Sequence, residues 1–133
     1  MTDVAEEALR NIHESAAAKQ IQTEVEIPQE ILVMTDRNML VACLRNLLDN
    51  AVKHSPQGGR ILLSARQVQQ TVSLSIRDQG PGMEESMLKK LSRPGRLGLV
   101  ITQELLSRIH GYLSACNLPE GGFEITIILN QHV

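Results

Sequence analysis

Aromatic residues are nearly absent from this sequence of 133 residues, which contains one Phe, one Tyr and no Trp. Aromatic stacking on nucleic-acid bases therefore has almost no material to use. A formal net charge of −2 also offers no basic surface to a phosphate backbone. The composition argues against a nucleic-acid partner. Hydrophobic residues at 42% and charged residues at 21% are ordinary values for a globular protein, so we expect one domain over residues 1–133.

Cysteines and long apolar runs are scarce as well. Cys43 and Cys116 lie in apolar stretches without zinc-type spacing, so we expect two buried, reduced thiols. No apolar run approaches membrane-spanning length, and the acidic N-terminus is unlike a signal peptide. The sequence therefore predicts a cytosolic location, which is compatible with its being part of a larger membrane protein.

Hydrophobic periodicity predicts alternating helices and strands. The predicted helices are Val4–Ala18, capped by Thr2 or Asp3, a long one from the cap Thr35 or Asp36 to about His54, a short one over Glu84–Leu91, and Leu97–His110, stopped by Gly111. The predicted strands are Ile21–Ile27, Ile31–Met34, Ile61–Arg66 and Val72–Arg77 joined by the polar link Gln67–Gln70, and a final hairpin of Tyr112–Asn117 and Phe123–Leu129. This order indicates a mixed sheet with helices on one face, an α/β two-layer sandwich.

The long helix has two opposed faces. One side carries the apolar residues Leu40, Leu44, Leu47, Leu48 and Ala51. Asn46, Asn50 and Lys53 recur on the other side. An amide oxygen suits Mg²⁺, and a lysine one turn further along can reach a phosphate held by that metal. The pattern is compatible with a metal-phosphate site and with an ordinary solvated face.

Two glycine-containing segments follow. In Asp78–Met83 a strand ends in a carboxylate, which can accept a hydrogen bond from an exocyclic amine such as that of adenine. Gly95 and Gly98 precede a helix, an arrangement that presents N–H groups and the helix dipole to a phosphate. Lys89, Lys90, Arg93 and Arg96 make this second segment basic. Taken singly, the first segment is also compatible with an ordinary turn, and the second is equally compatible with a flexible loop.

In this order, the three segments resemble the GHKL (Bergerat-fold) ATPase superfamily, which includes gyrase, heat-shock chaperones, histidine kinases and mismatch-repair proteins. Asn46–Pro56 is similar to the histidine-kinase N box, Asp78–Met83 to its first glycine box, and Arg96–Gly111 to its second box and the helix that follows. The resemblance covers nearly the whole chain. It implies the catalytic ATP-binding domain of a bacterial sensor histidine kinase.

The resemblance also implies roles for individual residues. Asn50 is expected to coordinate Mg²⁺, and Asp78 to accept the adenine amine. No catalytic residue is assigned. The residues expected to bind Mg-ATP are Asn46, Asn50 and Lys53 on the helix, Asp78, Gly80, Gly82 and Met83 around the purine, and Arg96, Leu97, Gly98 and Leu99 beside the phosphates.

Asn46 separates two subfamilies within this resemblance. The hydrolytic relatives carry a Glu four residues before the metal-binding Asn, where it acts as general base for water. An amide does not take a proton at neutral pH, so Asn46 favours transfer of the γ-phosphoryl group to an external acceptor. The expected acceptor is a histidine on the dimerisation helices of the same kinase, with a response regulator downstream, in a homodimer at the cytoplasmic side of the inner membrane.

Several features depart from the family pattern. Pro94 and Arg96 occupy two glycine positions of the second box, and the lid Met83–Pro94 is short. No phosphoacceptor segment is present in the sequence, because His13-Glu14 is followed by Ser-Ala-Ala-Ala, and we interpret His13 as a surface residue. Two alternatives therefore stay open. One is a degenerate docking module of a sensor kinase, and the other is a serine kinase of the anti-sigma-factor type.

Overall fold

The computed structural model describes residues 2–28, 31, 35–79, 99–119 and 121–130. The helices are α1 (Thr2–Asn11), α2 (His13–Ala18), α3 (Arg37–His54) and α4 (Leu99–Arg108), and the strands are β1 (Gln22–Glu26), β2 (Arg60–Val68), β3 (Thr71–Asp78), β4 (Gly111–Asn117) and β5 (Phe123–Asn130). The predicted helix Glu84–Leu91 lies outside the described residues. So do three of the four residues of the predicted strand Ile31–Met34, and Ile31 itself is not in a strand.

The N-terminal helix was predicted as one element but is two. Ile12 leaves helical geometry, with φ −109° and ψ 7°, and its N–H bonds to the carbonyl of Leu9, only three residues back. Such a tight turn interrupts the i to i−4 ladder. Ile12 is 3% exposed, so the break coincides with an anchor in the core. Thr2 and Asp3 already belong to α1, so neither precedes it as the predicted cap.

The five strands form one mixed sheet in the order β1-β2-β3-β5-β4. β1 pairs with β2 in parallel, and the other pairs are antiparallel. The loop between β2 and β3 is shorter than predicted, because Val68 already pairs with Thr71. The turn is therefore Gln69-Gln70, and Gln69 adopts a left-handed φ of 56°, as a two-residue hairpin loop requires.

The hydrophobic core lies between one face of the sheet and the helices. Alternate residues of the central strands are buried, among them Ile61, Leu63, Val72, Leu74, Ile76, Ile125, Ile127 and Leu129. α3 packs on β3, α1 and α4 pack on α3, and α4 packs on β4. The predicted two-layer α/β sandwich is confirmed. Among the described residues, no helix has the length and apolar character needed to cross a membrane.

The long helix α3 matches its prediction closely. Asp36 is the N-cap, and its Oδ1 accepts from the N–H of Met39 at 3.1 Å. A cap of this kind satisfies one of the unpaired N–H groups of the first turn. The predicted apolar face is buried throughout, with Leu44 and Leu48 at 0% exposure. Burial of each such leucine stabilises the fold by about 1.5–3 kcal/mol.

Gly111 does not stop α4 as predicted. The left-handed residue after this helix is His110, with φ 61°, and Gly111 is the first residue of β4. Glycine is needed there for a different reason. A Cβ at this position would lie 2.8 Å from Cδ2 of Leu129 and 3.0 Å from the carbonyl oxygen of Ile128. Gly111 therefore allows β4 to approach β5 closely.

The two cysteines differ. Cys43 on α3 is fully buried, as predicted, whereas Cys116 on β4 is exposed. Side chains alternate between the faces of a strand, and Cys116 falls on the face opposite to the buried Leu113. The prediction of a buried thiol was therefore wrong for Cys116. His13 is exposed, as predicted.

Candidate functional site

Several segments converge at one end of the sheet. α3 ends at His54, and a short loop leads to the start of β2 at Arg60. Since β2 and β3 are antiparallel, β3 ends beside that start, and Gln79 Oε1 accepts from the N–H of Arg60 at 3.0 Å. β5 also begins here, with Phe123 opposite Asp78. We call this end, defined by Arg60, Asp78–Gln79 and Phe123, the site end.

Asp78 is held firmly at the site end. It is the last residue of β3 and is only 7% exposed. Gly122 packs against it with φ 103°, and a Cβ at Gly122 would lie 2.5 Å from the carbonyl oxygen of Asp78. The turn before β5 can come this close only because residue 122 has no side chain. Gly122, just before β5, thus packs against Asp78, and Gln79, just after Asp78, bonds to the first residue of β2. Sequence reasoning assigned a role to neither.

The last turns of α3 place the predicted Asn46, Asn50 and Lys53 toward the same end. Asn46 and Asn50 are half-buried, and Lys53 is exposed. Lys53 Nζ lies 3.5 Å from Asp49 Oδ2, with side-chain exposures of 69% and 46%. An exposed pair of this kind contributes about 0–1 kcal/mol, so Lys53 can leave Asp49 at little cost.

The C-terminal end of α3 is closed by a distant lysine. Nζ of Lys19, which follows α2, donates to the carbonyl oxygens of Val52 at 2.8 Å, Lys53 at 3.1 Å and Ser55 at 2.8 Å. Sequence reasoning missed this contact, because Lys19 lies 33 to 36 residues away and belongs to no recognisable motif.

The N-terminal end of α4 also points toward the site end. Only Ile109 and His110 separate α4 from β4, and β4 begins opposite Leu129, at the far end of the sheet. α4 packs on β4, so it runs back along the strand. Its first residue, Leu99, is therefore the end of this helix, about 14 Å long, that lies nearer the site end.

The structure thus brings together part of the predicted site. Asp78 lies at the site end, the last turns of α3, which carry Asn50 and Lys53, lead toward it, and Leu99 begins the helix that points to it. Gly80, Gly82, Met83, Arg96, Leu97 and Gly98 lie outside the described residues.

The chemistry of the donor set fits a magnesium ion carried by a phosphate. Among the described residues, no three His, Cys, Asp or Glu side chains are grouped so as to hold a metal ion by themselves. Mg²⁺ is typically held by one or two protein oxygens while water and substrate phosphates complete its octahedron. The amide oxygen of Asn50 can supply one such ligand.

Comparison with known proteins gives concordant results. The model of the family described as histidine kinase-, DNA gyrase B-, and HSP90-like ATPase matches residues 35–133. The signal transduction histidine-protein kinase BaeS of Escherichia coli (strain K12) is 30% identical over 130 residues, which cover 87% of this chain and 28% of BaeS. The chain therefore spans just over a quarter of the length of that relative.

Solved structures support the same fold. The catalytic domain of histidine kinase ThkA superposes with a TM-score of 0.89 at 24% identity, covering 98% of this chain and 93% of that one. ThkA in complex with the response regulator protein TrrA gives a TM-score of 0.87 at 24% identity, covering 99% of this chain and 40% of ThkA. At this identity the likeness shows the fold.

Proposed function

The chain belongs to the histidine kinase-, DNA gyrase B- and HSP90-like ATPase family, and we propose that it binds Mg-ATP and donates the γ-phosphoryl group to a histidine on a separate dimerisation domain. The family match and the fold confirm the predicted superfamily. The observation that supports the proposal is that α3, which carries Asn46, Asn50 and Lys53, leads through a short loop to the end of the sheet where Asp78 lies.

On the phosphate side, Asn50 holds the metal through its amide oxygen, and Asn46 lies one turn before it. Mg²⁺, when bound, neutralises phosphate charge and holds the phosphates in place. Lys53 exchanges its weak contact with Asp49 for a phosphate oxygen. These groups position the triphosphate and balance its charge, which is most of what phosphoryl transfer requires of a protein.

On the base side, Asp78 accepts a hydrogen bond from the adenine amine. A carboxylate that is 7% exposed is a selective acceptor, because solvent does not compete strongly for it. Gln79 and Gly122 hold the backbone of Asp78 between β2 and β5. The family resemblance alone predicts that Gly80, Gly82 and Met83 serve the purine and that Arg96, Leu97, Gly98 and Leu99 serve the phosphates.

Asn46 favours transfer over hydrolysis, because its amide cannot remove a proton from water. The acceptor is therefore expected on another polypeptide segment, the dimerisation and phosphotransfer helices of the same kinase. ThkA is seen with a response regulator, and we propose a regulator as the downstream partner here as well. The parent protein is then a homodimeric sensor whose catalytic part lies in the cytoplasm.

The test is a titration with a non-hydrolysable ATP analogue and Mg²⁺. The wild type is expected to bind, whereas Asn50→Ala and Asp78→Asn are each expected to weaken binding at least tenfold, about 1.4 kcal/mol. Asn38→Ala is the matched control for Asn50, since Asn38 is an exposed residue in the first turn of the same helix. Equal affinity in all four proteins would contradict the assignment of the site.

Two further results would favour the alternatives. No wild-type binding at millimolar nucleotide would refute the proposal and support a degenerate docking module, which the Pro94 and Arg96 substitutions in the second box motivate. If binding is found, the domain is mixed with a dimerisation domain and labelled ATP. Acid-labile phosphate indicates transfer to histidine, and acid-stable phosphate indicates a serine kinase.

A further inference from the structure

We propose that Lys19 is a positioning residue for the phosphate side of the nucleotide site, through its ammonium group at the C-terminal end of α3. The inference rests on the proposed function, because the last two turns of α3 carry Asn50 and Lys53. Lys19 is far from these residues in sequence, and none of the motifs that define the family resemblance includes it.

The geometry of the contact is that of a helix cap. The last carbonyl groups of an α-helix have no partner within the helix. In α3 the N–H of Ser55 bonds to Ala51, and the carbonyls of Val52, Lys53 and Ser55 all accept from Lys19. An ammonium group has three N–H donors, so all three are used here. Without the side chain of Lys19, the carbonyls of Val52, Lys53 and Ser55 would lose this donor.

The charge of Lys19 has a second effect. The C-terminal end of a helix carries about half a negative charge. A polyphosphate bound near Asn50 and Lys53 would therefore approach the unfavourable end of α3. The ammonium of Lys19, lying within hydrogen-bond distance of those carbonyls, offsets their negative charge. Lys19 thus orders the turn that presents Lys53 and makes that turn more acceptable to an anion.

The side chain of Lys19 can be changed without removing its backbone from place. Its carbonyl accepts from the N–H of Gly58 at 2.8 Å, and its own N–H bonds to the carbonyl of Ala16 at 3.2 Å. The next strand is joined to the same loop, because the N–H of Gln22 bonds to the carbonyl of Gly59 at 3.0 Å. Because these bonds are between backbone groups, Lys19→Met and Lys19→Arg can keep α2 beside the loop that follows α3.

The experiment compares two ligands in four proteins by NMR titration of the 133-residue chain. The ligands are a non-hydrolysable ATP analogue with Mg²⁺, and adenosine, which lacks the phosphates. The proteins are the wild type, Lys19→Met, Lys19→Arg and, as a matched control, Arg66→Met, which removes one charge from an exposed position near the far end of β2.

Lys19→Met is expected to weaken binding of the ATP analogue about tenfold while changing adenosine affinity less than about twofold. Lys19→Arg, which keeps the charge, should retain most of the wild-type affinity for the ATP analogue. Arg66→Met should bind both ligands as the wild type does. Amide hydrogen exchange at Lys53–Ser55 should be faster in Lys19→Met.

Three outcomes would overturn the proposal. Unchanged analogue affinity in Lys19→Met would show that the cap does not serve the site. Equal losses for adenosine and the analogue would point to general destabilisation. Unchanged amide hydrogen exchange at Lys53–Ser55 would show that Lys19 does not stabilise the end of α3. A wild type that binds neither ligand would instead refute the proposed function.

Discussion

The two ends of the sheet are held in different ways. At the end opposite the site, which we call the hairpin end, Gln69-Gln70 joins β2 to β3 directly, and the N–H of Asn130 bonds to the carbonyl of His110 at 3.3 Å. Gly111 packs closely on Leu129. These contacts continue the pairing of adjacent strands. They depend on short connections, namely the turn Gln69-Gln70 between β2 and β3 and the two residues between α4 and β4.

At the site end, contacts join segments that are remote in sequence. Lys19 reaches the end of α3, Gln79 reaches the first residue of β2, and Gly122 packs against the carbonyl of Asp78. Strand pairing stops there, so backbone groups remain that the sheet cannot satisfy. The polar groups that are clustered there also make this end suitable for a ligand. The comparison predicts that changes at the site end alter binding and stability together, whereas changes at the hairpin end alter stability alone.

The largest effect is expected for Gly122→Ala at the site end. The substitution adds a Cβ 2.5 Å from the carbonyl oxygen of Asp78 at φ 103°, so we expect a loss of about 2–4 kcal/mol in the free energy of unfolding and weaker nucleotide binding. Urea denaturation and the nucleotide titration measure the two. Gly121→Ala is the control, because Gly121 has φ 101° and no atom within 4 Å of its Cβ position. If both variants lose equally, the contact with Asp78 is unimportant.

Gly111→Ala makes the corresponding change at the hairpin end. The new Cβ would meet Leu129 and the carbonyl of Ile128, and we expect about 1–3 kcal/mol of lost stability. Nucleotide affinity, measured where the variant is fully folded, should stay at the wild-type value. A clear loss of affinity would show that the two ends are coupled.

A rise in pH is expected to lower the free energy of unfolding through Cys43, which is buried in the core between the two ends. Burial raises the pKa of Cys43 to about 11 from 9.0. Because the folded protein keeps this thiol protonated while the unfolded chain ionises, stability is complete below pH 9 and falls as pH rises from 9 to 11, by about 1.4 kcal/mol for each unit. Urea denaturation of the wild type and Cys43→Ala from pH 8 to 10.5 tests this. The advantage of the wild type over the variant should shrink above pH 9, and a constant difference would contradict the prediction.

The smallest effect is expected for Gln79→Ala. It removes the acceptor of the N–H of Arg60, a contact at an exposed position, so we expect about 0.5–1 kcal/mol of lost stability. Binding should weaken by a comparable amount, because Asp78 precedes Gln79 in the chain. Gln67→Ala, near the hairpin end of β2, serves as control for both measurements. If affinity is unchanged in Gln79→Ala, then Asp78 is positioned by β5 alone.

Much of the fold was predictable because its signals are local. Residues that are close together in the sequence suffice to indicate the two faces of α3, the Asp36 cap and the alternation of β2 and β3. The break at Ile12 and the left-handed His110 were not predictable. Both depend on how neighbouring segments pack. In addition, no glycine or proline near Ile12 indicates that the helix breaks there.

The candidate site divides in the same manner. Spacing and motif resemblance predict Asn46, Asn50, Lys53 and Asp78 as site residues, since the chemistry of each side chain can be read from its type. Lys19, Gln79 and Gly122 were not, because each acts on the backbone of a residue 19 to 44 positions away. Sequence spacing carries no information about such contacts until the strands are paired.

The sequence by itself determined the family, the two-layer architecture and the identity of the side chains that are predicted to bind nucleotide and metal. Periodicity sets which residues are buried, and residue type sets which atoms can bind. Only the tertiary structure decided that α3 leads to the end of the sheet where Asp78 lies, that a lysine following another helix closes that end of α3, and that Gly122 admits the turn against Asp78. These are contacts between distant segments, and they exist only once burial of the apolar faces has brought those segments together.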